Sequence, residues 1–195
     1  MPADRLIADT MTQTLPGPDG RPRCRWCAAT PGYLAYHDSE WGFPVHDDRR
    51  LFEKLCLEGF QSGLSWRTIL EKRDNFRAAF DGFDFERVAR YTTRDVTRLL
   101  GDAGIVRNRR KIEMAVTNAR ATIGLRDAGI DLGELVWSFR PADPAAGSDA
   151  PADAPSQSAE SRELAKTLKK AGFVYVGPVT TYALMEAIGI LEHRT

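Results

Sequence analysis

An all-helical domain is what this sequence predicts, on three observations. Apolar residues recur at helical spacing through several windows, most densely over Leu51–Leu70, LFEKLCLEGFQSGLSWRTIL. No stretch of useful length alternates apolar and polar residues as a half-buried strand would. The breaks between windows are short turn signals, such as Gly42 with Pro44, Asp81-Gly82 and Asp102-Ala103-Gly104. The 195 residues favour one domain, and 43% hydrophobic content is enough for a sizeable core.

Taken in order, residues 1–22 end in LPGPDGRP without sustained period and are expected to form a mobile N-terminal arm. The single helical domain is expected over 23–193. After Cys24-Arg25-Trp26-Cys27 and the turn Thr30-Pro31-Gly32, Tyr33, Tyr36 and His37 share one helical face. Asp47 and Asp48 are N-cap candidates for the helix carrying Glu58. Short helices are predicted over Asn75–Phe80 and Phe85–Tyr91, another from Thr93, and a longer one over Asn108–Ile123 with Ile112, Ala115, Val116 and Ala119 inward. Residues 140–158, rich in Pro, Ala, Asp and Ser, bury too little to offset chain entropy and predict a mobile loop. Helices are then predicted over Ala159–Lys170 and from Pro178 through Ile188, joined by a short extended link at Phe173–Val176.

Composition removes several function classes. Lys and Arg total 27, as do Asp and Glu, so no global field draws the chain to polyanions and any nucleic-acid site must be a local patch. No 18-residue apolar run is present, which argues against a membrane span. The start lacks an apolar secretory core, so a cytoplasmic protein is expected. Three cysteines, Cys24, Cys27 and Cys56, do not make a disulfide framework.

Four constellations carry chemistry. Glu58 lies at the flank of an apolar helix face, followed by Gly59, Gly63 and Trp66, a set suited to a flat, polar or cationic ring; the plainer reading is a core helix whose carboxylate reaches water or a helix N-terminus. Trp26, Tyr33, Tyr36 and Trp66 could wall such a pocket, or be plain core. Leu99–Arg107 joins two helices by a hairpin containing Gly104, and Arg107, Arg109, Arg110 and Lys111 follow, a helix start suited to phosphate; a solvated helix start is the plainer alternative. Cys24, His37 and His193 are metal-ligand candidates by residue type, with Cys27 at a common zinc spacing from Cys24.

Together these stretches resemble the DNA-3-methyladenine glycosylase I family, a branch of the helix-hairpin-helix DNA repair glycosylases. The matching text is RCRW at Arg23–Trp26, YLAYHDSEWG at Tyr33–Gly42, LEGFQSGLSW at Leu57–Trp66, DAGIVRNRRKI at Asp102–Ile112, VWSF at Val136–Phe139 and GFVYVGPVTTYALMEAIG at Gly172–Gly189, in the family's order. The resemblance implies a helix-hairpin-helix glycosylase-like fold and a monofunctional enzyme that hydrolyses the N-glycosidic bond of N3-methyladenine in alkylated double-stranded DNA after base flipping. A monomer is expected. Glu58 is then the carboxylate that hydrogen-bonds the excised base, and Trp26, Tyr33, Tyr36 and Trp66 are the base-pocket aromatics. Cys24, His37 and His193 match three ligands of a structural zinc that would hold both termini. The family's fourth ligand, a cysteine four residues after the last histidine, would fall beyond Thr195. The superfamily's usual catalytic aspartate has no motif-supported counterpart; Asp127 and Asp131 lie roughly there and read as surface loop residues. The rival reading is a non-catalytic helix-hairpin-helix DNA-binding module, which would keep the cations but have no need of Glu58 among aromatics.

Overall fold

The structure, a computed structural model, describes residues 14–143 and 156–191. Ten α-helices follow a small β-hairpin: β1 Thr14–Pro16, β2 Pro22–Cys24, α1 Pro31–Ser39, α2 Asp48–Gln61, α3 Trp66–Glu71, α4 Arg73–Ala79, α5 Phe85–Val88, α6 Thr93–Gly101, α7 Arg109–Asp127, α8 Leu132–Trp137, α9 Ala159–Lys170 and α10 Pro178–Ala187. Single 3-10 turns lie at Arg25–Ala29 and Asp81–Phe83.

The hairpin is a small addition to the expected nearly all-helical fold, and it takes up the last nine residues of the expected arm. β1 and β2 pair antiparallel, Thr14 opposite Cys24 and Pro16 opposite Pro22. The Pro-Gly-Pro-Asp-Gly run, read as disorder, makes the turn. The Arg23 guanidinium then bridges Asp19 within the turn and Asp38 on α1, the latter at 2.8 Å. Three-residue strands are too short to show alternation, and the Arg23–Asp38 ion pair that ties them to α1 links residues 15 apart in sequence. Most of the expected loop over 140–158 lies outside the described residues.

The molecule is built on α2. Asp47 caps it, accepting from the Arg50 amide at 2.9 Å. Every residue from Leu51 to Phe60 is buried, so this helix has no solvent face along its middle. Leu51 and Leu55 enter one core, with Leu125, Leu132, Val136, Leu164, Leu168, Leu184, Met185 and Ile188. Phe52, Cys56 and Phe60 enter a second, with Ile69, Phe76, Phe80, Phe83, Leu99, Ile112 and Ala115. Each such large apolar side chain contributes about 1.5–3 kcal/mol on burial, so a single polar substitution here would endanger the fold.

Asp48 ties α2 to the start of α8, accepting from the Gly133 amide at 2.8 Å. Gly133 is required by close approach: a Cβ there would stand 2.3 Å from the His46 carbonyl oxygen. Asp131 is the N-cap of α8, accepting from the Glu134 amide at 2.9 Å. Helices α6 and α7 form the predicted helix-hairpin-helix. Thr92 and Asp95 make a capping box at the first, and the Asn108 side chain caps the second. Helix α7 continues past Ile123 to Asp127, giving it enough length to pack on α2, α5, α6 and α8.

Candidate base pocket and DNA-facing hairpin

Three elements bring the predicted aromatics together. Thr30 caps α1 by accepting from the Tyr33 amide, with Pro31 at its first turn, and this sets the register that turns Tyr33, Tyr36 and His37 inward. The 3-10 turn delivers Trp26, whose ring lies 5.5 Å from that of Tyr33 and 6.3 Å from that of Tyr36. Ser65 caps α3 and places Trp66 at its first position, 5.6 Å from the Tyr36 ring. Trp41, not singled out from sequence, completes the cluster, stacked on His37 at 5.6 Å and 5.3 Å from Trp26.

Glu58 stands on the buried length of α2 beside this cluster. It is 8% exposed and has no hydrogen-bond partner among the described residues. Desolvation pushes its carboxyl up to about 8; Lys54, one helical turn earlier, opposes the rise, and Glu186 on α10 adds to it. Tyr36 is held well above the ordinary phenol range, by burial first and then by the charges of Glu58 and Glu40. The Trp66 indole Nε1 is buried without a partner. The pocket thus presents a buried carboxylate acceptor and an indole donor that have no hydrogen-bond partner among the described residues, framed by aromatic faces. Such groups are costly in a finished core and are what a bound heterocycle would satisfy.

Sequence reading missed the charged layer behind Tyr36. Glu40 accepts from Lys54 Nζ at 3.0 Å and Arg73 at 2.6 Å, with Arg50 at 3.4 Å. Lys54 and Arg73 both lie against the Tyr36 ring, at 5.6 and 5.8 Å from its centroid. Lys54 is itself buried, and Glu53 is held by Arg50 and, at 2.7 Å, by Arg77. The network fixes the ring's position from behind. The only hint in the sequence was the acid in His37-Asp38-Ser39-Glu40-Trp41.

The hairpin cations divide. Arg107, Arg109 and Arg110 are exposed; Arg109 pairs with Glu113 at 3.3 Å, and the other two have no ion pair among the described residues. Gly104 lies in the turn, its amide donated to Asp102 Oδ1 at 2.7 Å. Lys111 is a correction to the predicted phosphate set. Its side chain is buried and its ammonium donates to the carbonyls of Phe60 at 2.7 Å and Ser62 at 2.5 Å. The packing of α7 on α2 turns this one cation inward, where it caps the end of the Glu58 helix.

Of the metal candidates, Cys24 and Cys27 are buried free thiols, and His193 lies outside the described residues. Among the described residues no three His, Cys, Asp or Glu side chains gather as a metal site, so Cys27 does not complete one with Cys24 and His37. His37 Nδ1 faces Asp38 at 3.0 Å while its Nε2 is buried without a partner. A carboxylate-held imidazole with one free nitrogen is how a metal-ligating histidine is normally presented. Burial raises the Cys24 thiol to about 11, Cys27 adding to the rise; a metal would reverse this.

A buried carboxylate and an aromatic slot beside a cationic helix-hairpin-helix define the class of helical proteins that admit a flat ring next to a nucleic-acid backbone. The chain belongs to the methyladenine glycosylase family, whose model matches residues 26–195. It is 44% identical to DNA-3-methyladenine glycosylase 1 of Escherichia coli over 171 residues, 87% of this chain and 91% of that one. A crystal structure of 3-methyladenine DNA glycosylase I superposes with a TM-score of 0.82 at 45% identity, covering 86% of this chain and 93% of the other. A Staphylococcus aureus structure described as the structural basis of 3-methyladenine recognition superposes at 0.78 with 36% identity, covering 83% and 87%.

Proposed function

We propose that this protein removes N3-methyladenine from alkylated double-stranded DNA by hydrolysing its N-glycosidic bond. The observation that carries the reading is Glu58, buried and without a hydrogen-bond partner among the described residues, beside the Tyr36 ring that packs on Trp66. The target nucleotide must leave the stack to reach it. Methylation at N3 makes the adenine ring cationic and weakens the bond to the sugar, so no proton need be donated to the leaving base. A cation against indole and phenol faces gains about 0.5–2 kcal/mol that neutral adenine does not. Ionised Glu58 adds a charge-assisted hydrogen bond of the same selectivity. The bond from the sugar carbon to the base nitrogen breaks with its electron pair going to the base. Water bonds to that carbon and releases a proton to solvent.

Neither buried lysine is free to act as a nucleophile, since Lys54 is paired with Glu40 and Lys111 with two carbonyls. The products are therefore free base and an abasic site, with no strand cleavage. Arg107, Arg109 and Arg110 hold the phosphate backbone, and the enzyme works as a cytoplasmic monomer. A structural zinc held by Cys24, His37 and His193 would fix the chain's end to its beginning; the unpartnered His37 Nε2 supports that site.

Incubation with methylated duplex tests the reading. Release of free 3-methyladenine by the parent protein, strongly reduced in Glu58→Gln, supports it. Binding of duplex without base release would mean a non-catalytic DNA-binding module.

A further inference from the structure

Among the described residues, three other than glycine have left-handed backbone: Asp81, Phe83 and Tyr175. Such conformations are costly for residues with a Cβ and persist only where the surroundings enforce them. For two of them the return lies in the fold. Asp81 accepts from the Tyr91 hydroxyl at 2.6 Å, and Phe83 is fully buried among Phe52 and Phe80. Tyr175, with φ 58°, has no such return: it is 39% exposed and makes no hydrogen bond, ion pair or ring contact among the described residues.

The strain is nevertheless imposed firmly. Buried Asn118 on α7 clamps the preceding residue with two hydrogen bonds, donating to the Val174 carbonyl at 3.1 Å and accepting from the Val174 amide at 2.8 Å. Phe173 and Val176 anchor the turn in the core on either side, at 2% and 1% exposure. The expected extended link is thus a rigid mount that presents one aromatic ring to solvent.

Its place is informative. A Cβ built on Gly59, the residue after Glu58, would lie 3.6 Å from Tyr175 Cβ and 2.7 Å from Met114 Cε. Tyr175 therefore sits where the Glu58 helix meets α7, one turn beyond exposed Arg110. Val174 and Val179 beside it are also exposed, at 40% and 54%. An exposed aromatic with no partner, between a base pocket and a cationic helix start, matches a nucleobase face better than water.

From this geometry we propose that Tyr175 is a DNA-contacting residue whose ring packs on the bases flanking the extruded nucleotide. The proposal rests on the excision reading above. It is tested with Tyr175→Gly and Tyr175→Phe in the full chain. Glycine suits a left-handed backbone, so Tyr175→Gly should melt at or above the parent temperature. Its single-turnover excision from methylated duplex should fall about 5- to 100-fold, the loss typical of removing one base–aromatic stack. Tyr175→Phe should excise within about twofold of the parent, because the ring and not the hydroxyl makes the contact. Affinity for free 3-methyladenine should be unchanged in both. Tyr175→Gly excising at the parent rate overturns the proposal, as does a loss of free-base affinity in step with excision. A parent protein that releases no base would instead overturn the proposed function.

Discussion

The Glu58 carboxyl, pushed up to about 8 by desolvation, couples stability and activity to pH in opposite directions. Its folded pKa is raised above the ordinary 4.5, so the fold favours the neutral form. The stability it contributes is fully present below about pH 4.5 and is lost as pH rises through about 8. At about 1.4 kcal/mol per unit, the loss is several kcal/mol. Glu58→Gln should therefore melt well above the parent at pH 9 and close to it at pH 4.5, which thermal unfolding across pH will read. Excision should run the other way. kcat/KM of the parent should climb toward pH 8 as Glu58 ionises. Glu58→Gln should be flat with pH and about 10- to 100-fold slower, the equivalent of ~1.5–3 kcal/mol for a hydrogen bond to a charged group. The sequence puts Glu58 at the flank of an apolar helix face, and the structure buries it there; a base-binding role comes from the family resemblance and not from the residue pattern. The layer behind Tyr36 was not legible in the sequence. Glu40 and Arg73 are 33 residues apart and each alone resembles a solvated surface charge; only the folded chain makes them a pair.

Among the elements, helices were the most legible. The α9 boundaries fall at Ala159 and Lys170 as expected, and α6 begins at Thr93 as expected. The β-hairpin was illegible because its register depends on Arg23 reaching both Asp19 and Asp38. Lys111 was misread for a related reason: four neighbouring cations look alike until helix packing gives one of them an inward azimuth. The difference is measurable. Lys111→Met leaves the Phe60 and Ser62 carbonyls without their donor, at about 1–3 kcal/mol. It should lower the melting temperature by roughly 3–10 °C and leave the salt dependence of duplex binding unchanged. Arg110→Ala should do the reverse, keeping the melting temperature and reducing the log–log salt slope by about one unit. A reduced slope in Lys111→Met would return that lysine to the phosphate-binding set.

At the scale of the whole molecule, α2 separates two cores and α10 returns to the region of α1. The Gly42 amide donates to the Ala187 carbonyl at 3.3 Å, and a Cβ on Gly189 would stand 2.5 Å from the Gly42 oxygen. The end of α10 therefore runs past the end of α1, which carries His37. A zinc held by Cys24, His37 and His193 would add a clamp at this crossing, and a role in folding suits it better than a role in chemistry, since Glu58 and the aromatics need no Lewis acid for a leaving group already cationic. Such a site would bind zinc through deprotonated thiolate and neutral imidazole, so its retention should fall as pH drops. Metal analysis of the purified chain should find zinc, lost in Cys24→Ser and His37→Ala and kept in Cys27→Ser. Chelation should lower the melting temperature and spare the rate of excision measured well below it. Loss of zinc in Cys27→Ser would show that thiol to be a ligand. A parent protein without zinc would leave the crossing to the Gly42–Ala187 hydrogen bond and the packing of Leu184, Met185, Ile188 and Ile190.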